Sequence, residues 1–151
     1  MELEDVFRAH QRAVFAYFLR LVGDRHEAEE LTQETFVRAC GAAIRFRGDS
    51  SVKTWLFGIA RRVLLEFVRT KPVELKSNLP DRAGPPDHHD ERLDLERAFG
   101  ALSMGDREVL MLVDVLGFEP AEAADAMGVE PGTLRVRLHR ARARMREVYG
   151  K

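Results

Sequence analysis

The run Pro131-Gly-Thr-Leu-Arg-Val-Arg-Leu-His-Arg-Ala-Arg-Ala-Arg-Met-Arg146 constrains this chain more than any other stretch, because it sets six arginines in a segment that still keeps an apolar seam. At about 100° per residue, Leu134, Leu138, Ala141, Met145 and Val148 fall on one stripe of a helix. Arg135, His139, Arg142 and Arg146 line one flank of that stripe, and Arg137, Arg140 and Arg144 the other. A helix so built docks by one face and offers cations on the rest. The residues before it form an ordered break. Pro120-Ala-Glu-Ala-Ala-Asp-Ala-Met127 is a short helical segment opened by proline, Gly128-Val129-Glu130 is a tight turn, and Pro131 starts the next helix, where its missing N–H costs nothing. Gly128 can take the positive φ that ends the first helix, and Ala121, Ala123, Ala124 and Ala126 let the two helices approach closely. This is the layout of a helix-turn-helix. Its second helix would bring Gly132, Thr133 and Arg135 into a major groove and set the later arginines near phosphate.

The remainder is consistent with an all-α chain. Ala, Leu, Arg and Glu are abundant, proline and glycine are few and clustered, and 151 residues with 45% hydrophobic and 32% charged content suit one modest domain or two small helical ones. The net charge of −1 hides a segregation of sign, since the C-terminal helix is basic and the middle of the chain acidic. Cys40 is the only cysteine, which excludes an internal disulfide and a thiolate metal cluster and fits a reducing compartment. It is expected as a small buried hydrophobe. No apolar stretch approaches the roughly 20 residues that span a bilayer. Met1-Glu-Leu-Glu-Asp5 lacks the basic start of a signal peptide, so a cytoplasmic location without membrane insertion is expected.

Two helical blocks flank a break. In the first, Val6, Phe7, Val14, Phe15, Phe18, Leu19 and Val22 repeat at helical spacing up to Gly23, and Asp24-Arg-His-Glu27 resembles a capping box. A second helix follows through Leu31, Thr35, Phe36, Ala39 and Ala43; after the loop Phe46-Arg-Gly-Asp-Ser-Ser51 comes a third, from about Val52 to Arg69. Residues 72–90 carry Pro72, Pro80, Gly84, Pro85 and Pro86 with little periodicity, which predicts an extended tether between domains 1–71 and 91–151. Helices resume near Glu91 with Leu95, Ala98, Phe99 and Leu102. Ser103-Met-Gly-Asp106 caps a further helix with Val109, Leu110, Leu112, Val113 and Leu116, ending at Gly117.

Catalysis has no visible home. His88-His89-Asp90 are adjacent side chains in the tether, with no further His or Cys at ligand spacing, so no metal is expected. Glu27, Glu29, Glu30 and Glu34 spread over a helix surface, which suits a solvated or partner-binding face rather than acid–base work. Ser50-Ser51 has no nearby His to activate it. A phosphate loop of the G-x-x-x-x-G-K type is absent, and no cofactor is expected. The third helix is more suggestive: Lys53, Arg61, Arg62 and Arg69 lie among Trp55, Phe57 and Phe67, a pattern that suits unstacked bases and phosphate. The alternative is that Trp55, Leu56, Ile59, Ala60 and Val63 are core and the arginines merely solvated.

Taken together, the two blocks, the Pro-rich tether, the aromatic and basic helix and the basic helix-turn-helix resemble the bacterial extracytoplasmic-function (ECF) sigma factors over almost the whole chain. Gly23-Asp-Arg-His-Glu-Ala-Glu-Glu-Leu-Thr-Gln-Glu-Thr-Phe-Val-Arg38 is similar to the family's region 2.2, and Phe46-Arg-Gly-Asp-Ser-Ser-Val-Lys-Thr-Trp-Leu-Phe-Gly-Ile-Ala-Arg61 to regions 2.3 and 2.4. Leu102-Ser-Met-Gly-Asp-Arg-Glu-Val-Leu110 resembles the start of region 4. The resemblance implies a promoter-specificity subunit with core RNA polymerase (β′ clamp and β flap), promoter DNA and an anti-sigma factor as partners. Gln33, Glu34, Phe36 and Arg38 would bind polymerase, and Lys53, Trp55, Arg61 and Arg62 the minus-ten element. Gly132, Thr133, Arg135, Arg137, His139 and Arg140 would read the minus-thirty-five element. The chain departs from the family at Arg62, where many relatives carry an asparagine that helps capture a flipped base, and at Val136, where a small polar residue is common. These departures leave open a sigma-like decoy for an anti-sigma factor. A helix-turn-helix regulator that never touches polymerase is a second alternative, for which the acidic second helix would be surplus.

Overall fold

The computed structural model describes residues 2–70 and 91–149, with side chains from residue 95 in the second stretch, and every regular element among them is helical. The tether at 72–90 and His88-His89-Asp90 lie outside the described residues. The first block consists of α1 (Leu3–Val22), α2 (Arg25–Ala42), a single 3₁₀ turn at Ala43–Arg45, and α3 (Val52–Thr70). The second consists of α4 (Glu91–Gly100), α5 (Met104–Leu110, continued by a π-helical turn at Met111–Val115), α6 (Pro120–Met127) and α7 (Pro131–Tyr149).

The three helices of the first block differ in how much of their circumference they bury, and this decides what each can present. In α1, Val14, Tyr17, Phe18 and Leu21 are fully enclosed. The helix ends where the Gly23 N–H donates to the Leu19 carbonyl at 2.9 Å. Asp24 then caps α2, its carboxylate accepting from the Glu27 N–H at 2.8 Å. Helix α2 buries only Ala28, Leu31, Thr35 and Ala39, a narrow stripe of mostly small residues, so most of its surface stays open. Cys40 corrects an expectation: it is exposed, because it sits one residue and hence about 100° beyond Ala39 on the helix. Val37, at 65% exposure, lies off the stripe for the same reason. Helix α3 buries the widest face, with Leu56, Phe57, Ile59, Ala60, Val63 and Leu64 enclosed. It needs that width because it packs on α1 and α2 on one side and on α6 on the other.

In the second block, Ser103 caps α5 by accepting from the Asp106 N–H at 3.2 Å, and the helix widens before it ends. The Leu116 N–H donates to the Met111 carbonyl at 2.8 Å, five residues back, which makes the last turn π-helical. The chain then folds back so that the Phe118 N–H reaches the Leu112 carbonyl at 2.9 Å, and Phe118 turns inward to 2% exposure. This turn was not legible as anything but the end of an ordinary helix. The helix-turn-helix forms as the sequence predicts. Gly128 takes φ +68° after Met127, and Ala123, Ala124 and Ala126 are buried against the neighbouring helices, whereas Ala121 is exposed. Leu134, Leu138 and Ala141 form the docking stripe of α7, with Met145 partly buried beyond them and Val148 at 38% exposure as the stripe fades. Leu95, expected on an apolar face, is 48% exposed.

The two blocks share one apolar cluster. Tyr17 meets Phe57 edge-on at 5.4 Å between ring centroids, and Phe57 meets Phe118 edge-on at 5.1 Å, so an aromatic seam crosses from α1 through α3 to the second block.

Candidate nucleic-acid and partner interface

Because α2 uses so little of its surface for packing, Gln33 and Glu34 stand exposed on it. Phe36 is partly buried, edge-on to Phe7 at 5.0 Å, and so belongs partly to the core. Arg38 donates to Glu34 at 2.8 Å and, through both terminal nitrogens, to Glu66 of α3 at 2.9 and 2.6 Å. These carboxylates raise the Arg38 pKa further, by hydrogen bonds to Glu66 first and Glu34 second, and hydrogen bonding to Arg38 in turn lowers that of Glu66. The pairs are solvent-exposed, so their value lies in fixing the orientation of α2 on α3 rather than in stability. Beside Gln33, a groove of about 460 Å³ opens between α1 and α2, lined by Phe7, Gln11, Phe15, Arg25, Thr32 and Gln33. Sequence periodicity missed it, since Phe7 and Phe15 lay on the expected core stripe; Phe7 is in fact 42% exposed.

The cations of α3 are placed differently from one another. Lys53 Nζ stands 4.3 Å from the Phe118 ring centroid and 3.7 Å from Glu122 Oε1. His10 is held below its ordinary pKa by burial and by the Lys53 cation. Arg61 Nε donates to Glu108 Oε2 at 2.9 Å, and the Tyr17 hydroxyl donates to the same oxygen at 2.7 Å. Trp55 is partly buried and tilted against Phe46 at 5.1 Å. Arg62 is exposed and, with Trp55 and Gly58, walls a cleft of about 350 Å³ whose far side is Asp125, Met127 and Gly128 of the helix-turn-helix. Of the four residues expected at a minus-ten element, Trp55, Arg61 and Arg62 line this one cleft, while Lys53, about 180° around the helix from Arg62, stands apart from it; Lys53, Trp55 and Arg61 are already in contact with other parts of the chain.

On α7 the separation is clean. Gly132, Thr133, Arg135, Arg137, His139 and Arg140 are all exposed, while the stripe behind them is buried. Two of the later arginines do not follow the expectation of cations left for phosphate. Arg142 donates to Asp114 at 3.1 and 2.6 Å, and Arg144 donates to Asp106 at 3.1 and 2.9 Å. They clamp α7 onto the start and the end of α5, because both carboxylates lie beside the docking stripe. The hydrogen bond to Asp114 raises the Arg142 pKa.

Two families match, each to one block: sigma-70 region 2 over residues 6–72 and sigma-70 region 4 over residues 92–145. The ECF RNA polymerase sigma factor SigC of Mycobacterium tuberculosis is 36% identical over 147 residues, covering 93% of this chain and 79% of the relative. The chain belongs to the ECF sigma factors. SigM of Bacillus subtilis, another ECF RNA polymerase sigma factor, is 28% identical over 159 residues, covering 100% of this chain and 97% of the relative. The sigma factor RpoE of Bartonella quintana, solved in complex with the anti-sigma factor NepR, superposes with a TM-score of 0.77 at 27% identity, over 96% of this chain and 94% of RpoE. CnrH, solved with the cytosolic domain of CnrY, shares the fold with a TM-score of 0.74 at 24% identity, over 97% of this chain and 86% of CnrH. This sigma factor directs promoter-specific transcription initiation, and both of its sigma domains are all-α. No helix among the described residues is long and apolar enough to cross a membrane.

The residues that sequence reasoning missed are those at the junction of the two blocks. Asp106, Arg107 and Glu108 are all buried at the start of α5, with Arg107 at 1% exposure. A charged run after a helix cap ordinarily faces water, and nothing local distinguishes this one.

Proposed function

We propose that residues 1–71 of this sigma factor bind core RNA polymerase at the β′ clamp and melt the minus-ten element. Residues 91–151 bind the β flap and the minus-thirty-five element, and residues 72–90 link the two domains. Gln33, Glu34, Phe36 and Arg38 form the polymerase-binding patch; Lys53, Trp55, Arg61 and Arg62 contact the minus-ten strand. Gly132, Thr133, Arg135, Arg137, His139 and Arg140 contact the minus-thirty-five element, the residues of the first turns at base edges and Arg140 at phosphate. The protein works in the cytoplasm, where the polymerase is, and catalyses nothing itself.

The observation that carries this reading is the division of α7, which commits Leu134, Leu138 and Ala141 to its own domain and leaves all six contact residues exposed from the first turn onward. A recognition helix presents its N-terminal residues to base edges in this way. Arg62 and Val136 are exposed too, so the two departures from the family alter what is recognised and leave the core unchanged. An anti-sigma factor is a further partner, supported by the match along 96% of this chain to RpoE in its complex with NepR. Run-off transcription with purified core polymerase on genomic promoter fragments tests the function: specific transcripts are expected only when the chain is added. Their absence with every fragment, despite polymerase binding, would turn the assignment toward a decoy.

The pairing on α7 gives a second expectation. Replacing Arg140 by Ala should reduce the slope of log affinity for promoter DNA against log salt by about 0.9, the counterion release of one phosphate contact. Arg142→Ala should leave the slope unchanged, because Asp114 holds that guanidinium. A salt titration of both variants checks this, and equal slopes in the two would overturn it.

A further inference from the structure

Helix α7 packs on α4, α5 and α6, with Leu134, Leu138 and Ala141 buried in a single stripe. At about 100° per residue, the residue of its first two turns that points most directly away from this stripe is not an arginine. It is Val136, about 200° round from Leu134, and it is 50% exposed. Arg135 and Arg137 stand about 100° from it on either side, and His139 and Arg140 follow one turn on, about 60° and 40° to the two sides; all four are exposed. A helix held to its own domain by one stripe enters a groove with the opposite line deepest, so the side chain nearest the groove floor is apolar and the cations face the walls.

The position one turn earlier on the same line is Gly132, and nothing in the fold asks for a glycine there. Its φ is not positive, and a Cβ on it would have no described atom within 4 Å outside its own turn of helix. Glycine weakens a helix relative to alanine. What the missing side chain permits is close approach from outside.

We propose that Val136 reads a thymine of the minus-thirty-five element through the C5-methyl group of the base, with Gly132 admitting the DNA close to the start of the helix. This deepens the assignment of α7 to that element and rests on it. An isopropyl group neither donates nor accepts a hydrogen bond, and the thymine methyl is the apolar group that the major groove presents. Any other base at that step would set a polar edge against Val136 without a partner, so the contact both favours thymine and rejects its competitors. A β-branched side chain on a helix is held in essentially one rotamer, which fixes the contact before the DNA arrives. Duplex DNA is the occupant because Val136 is a lone apolar side chain ringed by Arg135, Arg137 and Arg140, and residues 131–146 contain no carboxylate. Arg135 and Arg137, on the flanks, have the length to reach a neighbouring base edge or a phosphate past the valine.

The test uses the full chain with core polymerase and duplex promoter fragments at one fixed salt concentration. Each thymine of the minus-thirty-five element, on either strand, is replaced in turn by deoxyuridine, which removes the methyl and leaves every hydrogen-bonding atom of the base in place. With wild type, one of these exchanges should weaken competition binding about fourfold, the worth of one buried methyl group. Val136→Ala should bind the unmodified fragment more weakly and lose its sensitivity to that same exchange. Alanine is the better helix former, so fraying of α7 does not account for the loss. Arg146→Ala should keep the full sensitivity. Indifference of the wild type to every exchange, or a Val136→Ala variant as sensitive as wild type, overturns the methyl contact; if the cognate element still outcompetes a scrambled one, the minus-thirty-five assignment stands without it. Equal binding of cognate and scrambled elements, in fragments identical elsewhere, overturns both.

Discussion

Exchanging Gln33 for Ala together with Glu34 for Arg is expected to abolish co-purification of this sigma factor with core RNA polymerase while leaving its helical circular dichroism intact. Both side chains are exposed on a helix that docks by Ala28, Leu31, Thr35 and Ala39, so neither substitution reaches the core. Glu34→Arg removes the 2.8 Å pair with Arg38, but Arg38 keeps its two-pronged hold on Glu66, and α2 stays seated on α3. What changes is the charge offered to the partner. Placing like charges across an interface costs several kcal/mol, and about 3 kcal/mol already corresponds to a loss of more than a hundredfold in affinity. Pull-down and size-exclusion chromatography read the outcome. Undiminished co-purification of a folded variant would place the polymerase-binding surface elsewhere, with the groove lined by Phe7 and Phe15 as the next surface to test.

The second large effect separates reading from gripping on α7. Arg135 lies on the first turns of the helix, and Arg146 is roughly 16 Å further along the axis at about 1.5 Å per residue. Both are exposed. Arg135→Ala should cost roughly 1–3 kcal/mol on the cognate minus-thirty-five element and flatten the preference at one base position, as loss of a base-edge contact does. Arg146→Ala should weaken cognate and scrambled DNA about equally and only modestly. Competition binding with a set of single-base variants of the element measures both. Equal losses on cognate and scrambled DNA from the two substitutions would mean that Arg135 meets only phosphate. The core residues behind them are not touched by either change, since Leu134, Leu138 and Ala141 hold the helix and Arg142 and Arg144 clamp it to Asp114 and Asp106.

The amino-acid sequence by itself determined the elements and the two kinds of surface. Helix ends are local events: the Asp24 and Ser103 caps, the break at Gly128 and the restart at Pro131 all depend on residues within a turn or so of one another, and all form as expected. The recognition face of α7 was legible for the same reason, because its apolar stripe and its exposed flank are set by one helical period. Periodicity is silent, however, about how wide a buried face must be. That width depends on how many neighbours a helix has, which is why Cys40 and Leu95 came out exposed and Phe57 became the centre of a seam crossing both domains. Charge balance is likewise a tertiary matter. No local rule marks Glu108 as buried or tells Arg142 and Arg144 from Arg140; only the packing of α5 against α1, α3 and α7 brings a carboxylate to some cations and leaves others to solvent. Burial of an ion demands a partner at hydrogen-bonding distance, and such a partner comes from tens of residues away: Tyr17 and Arg61 for Glu108, Asp106 for Arg144.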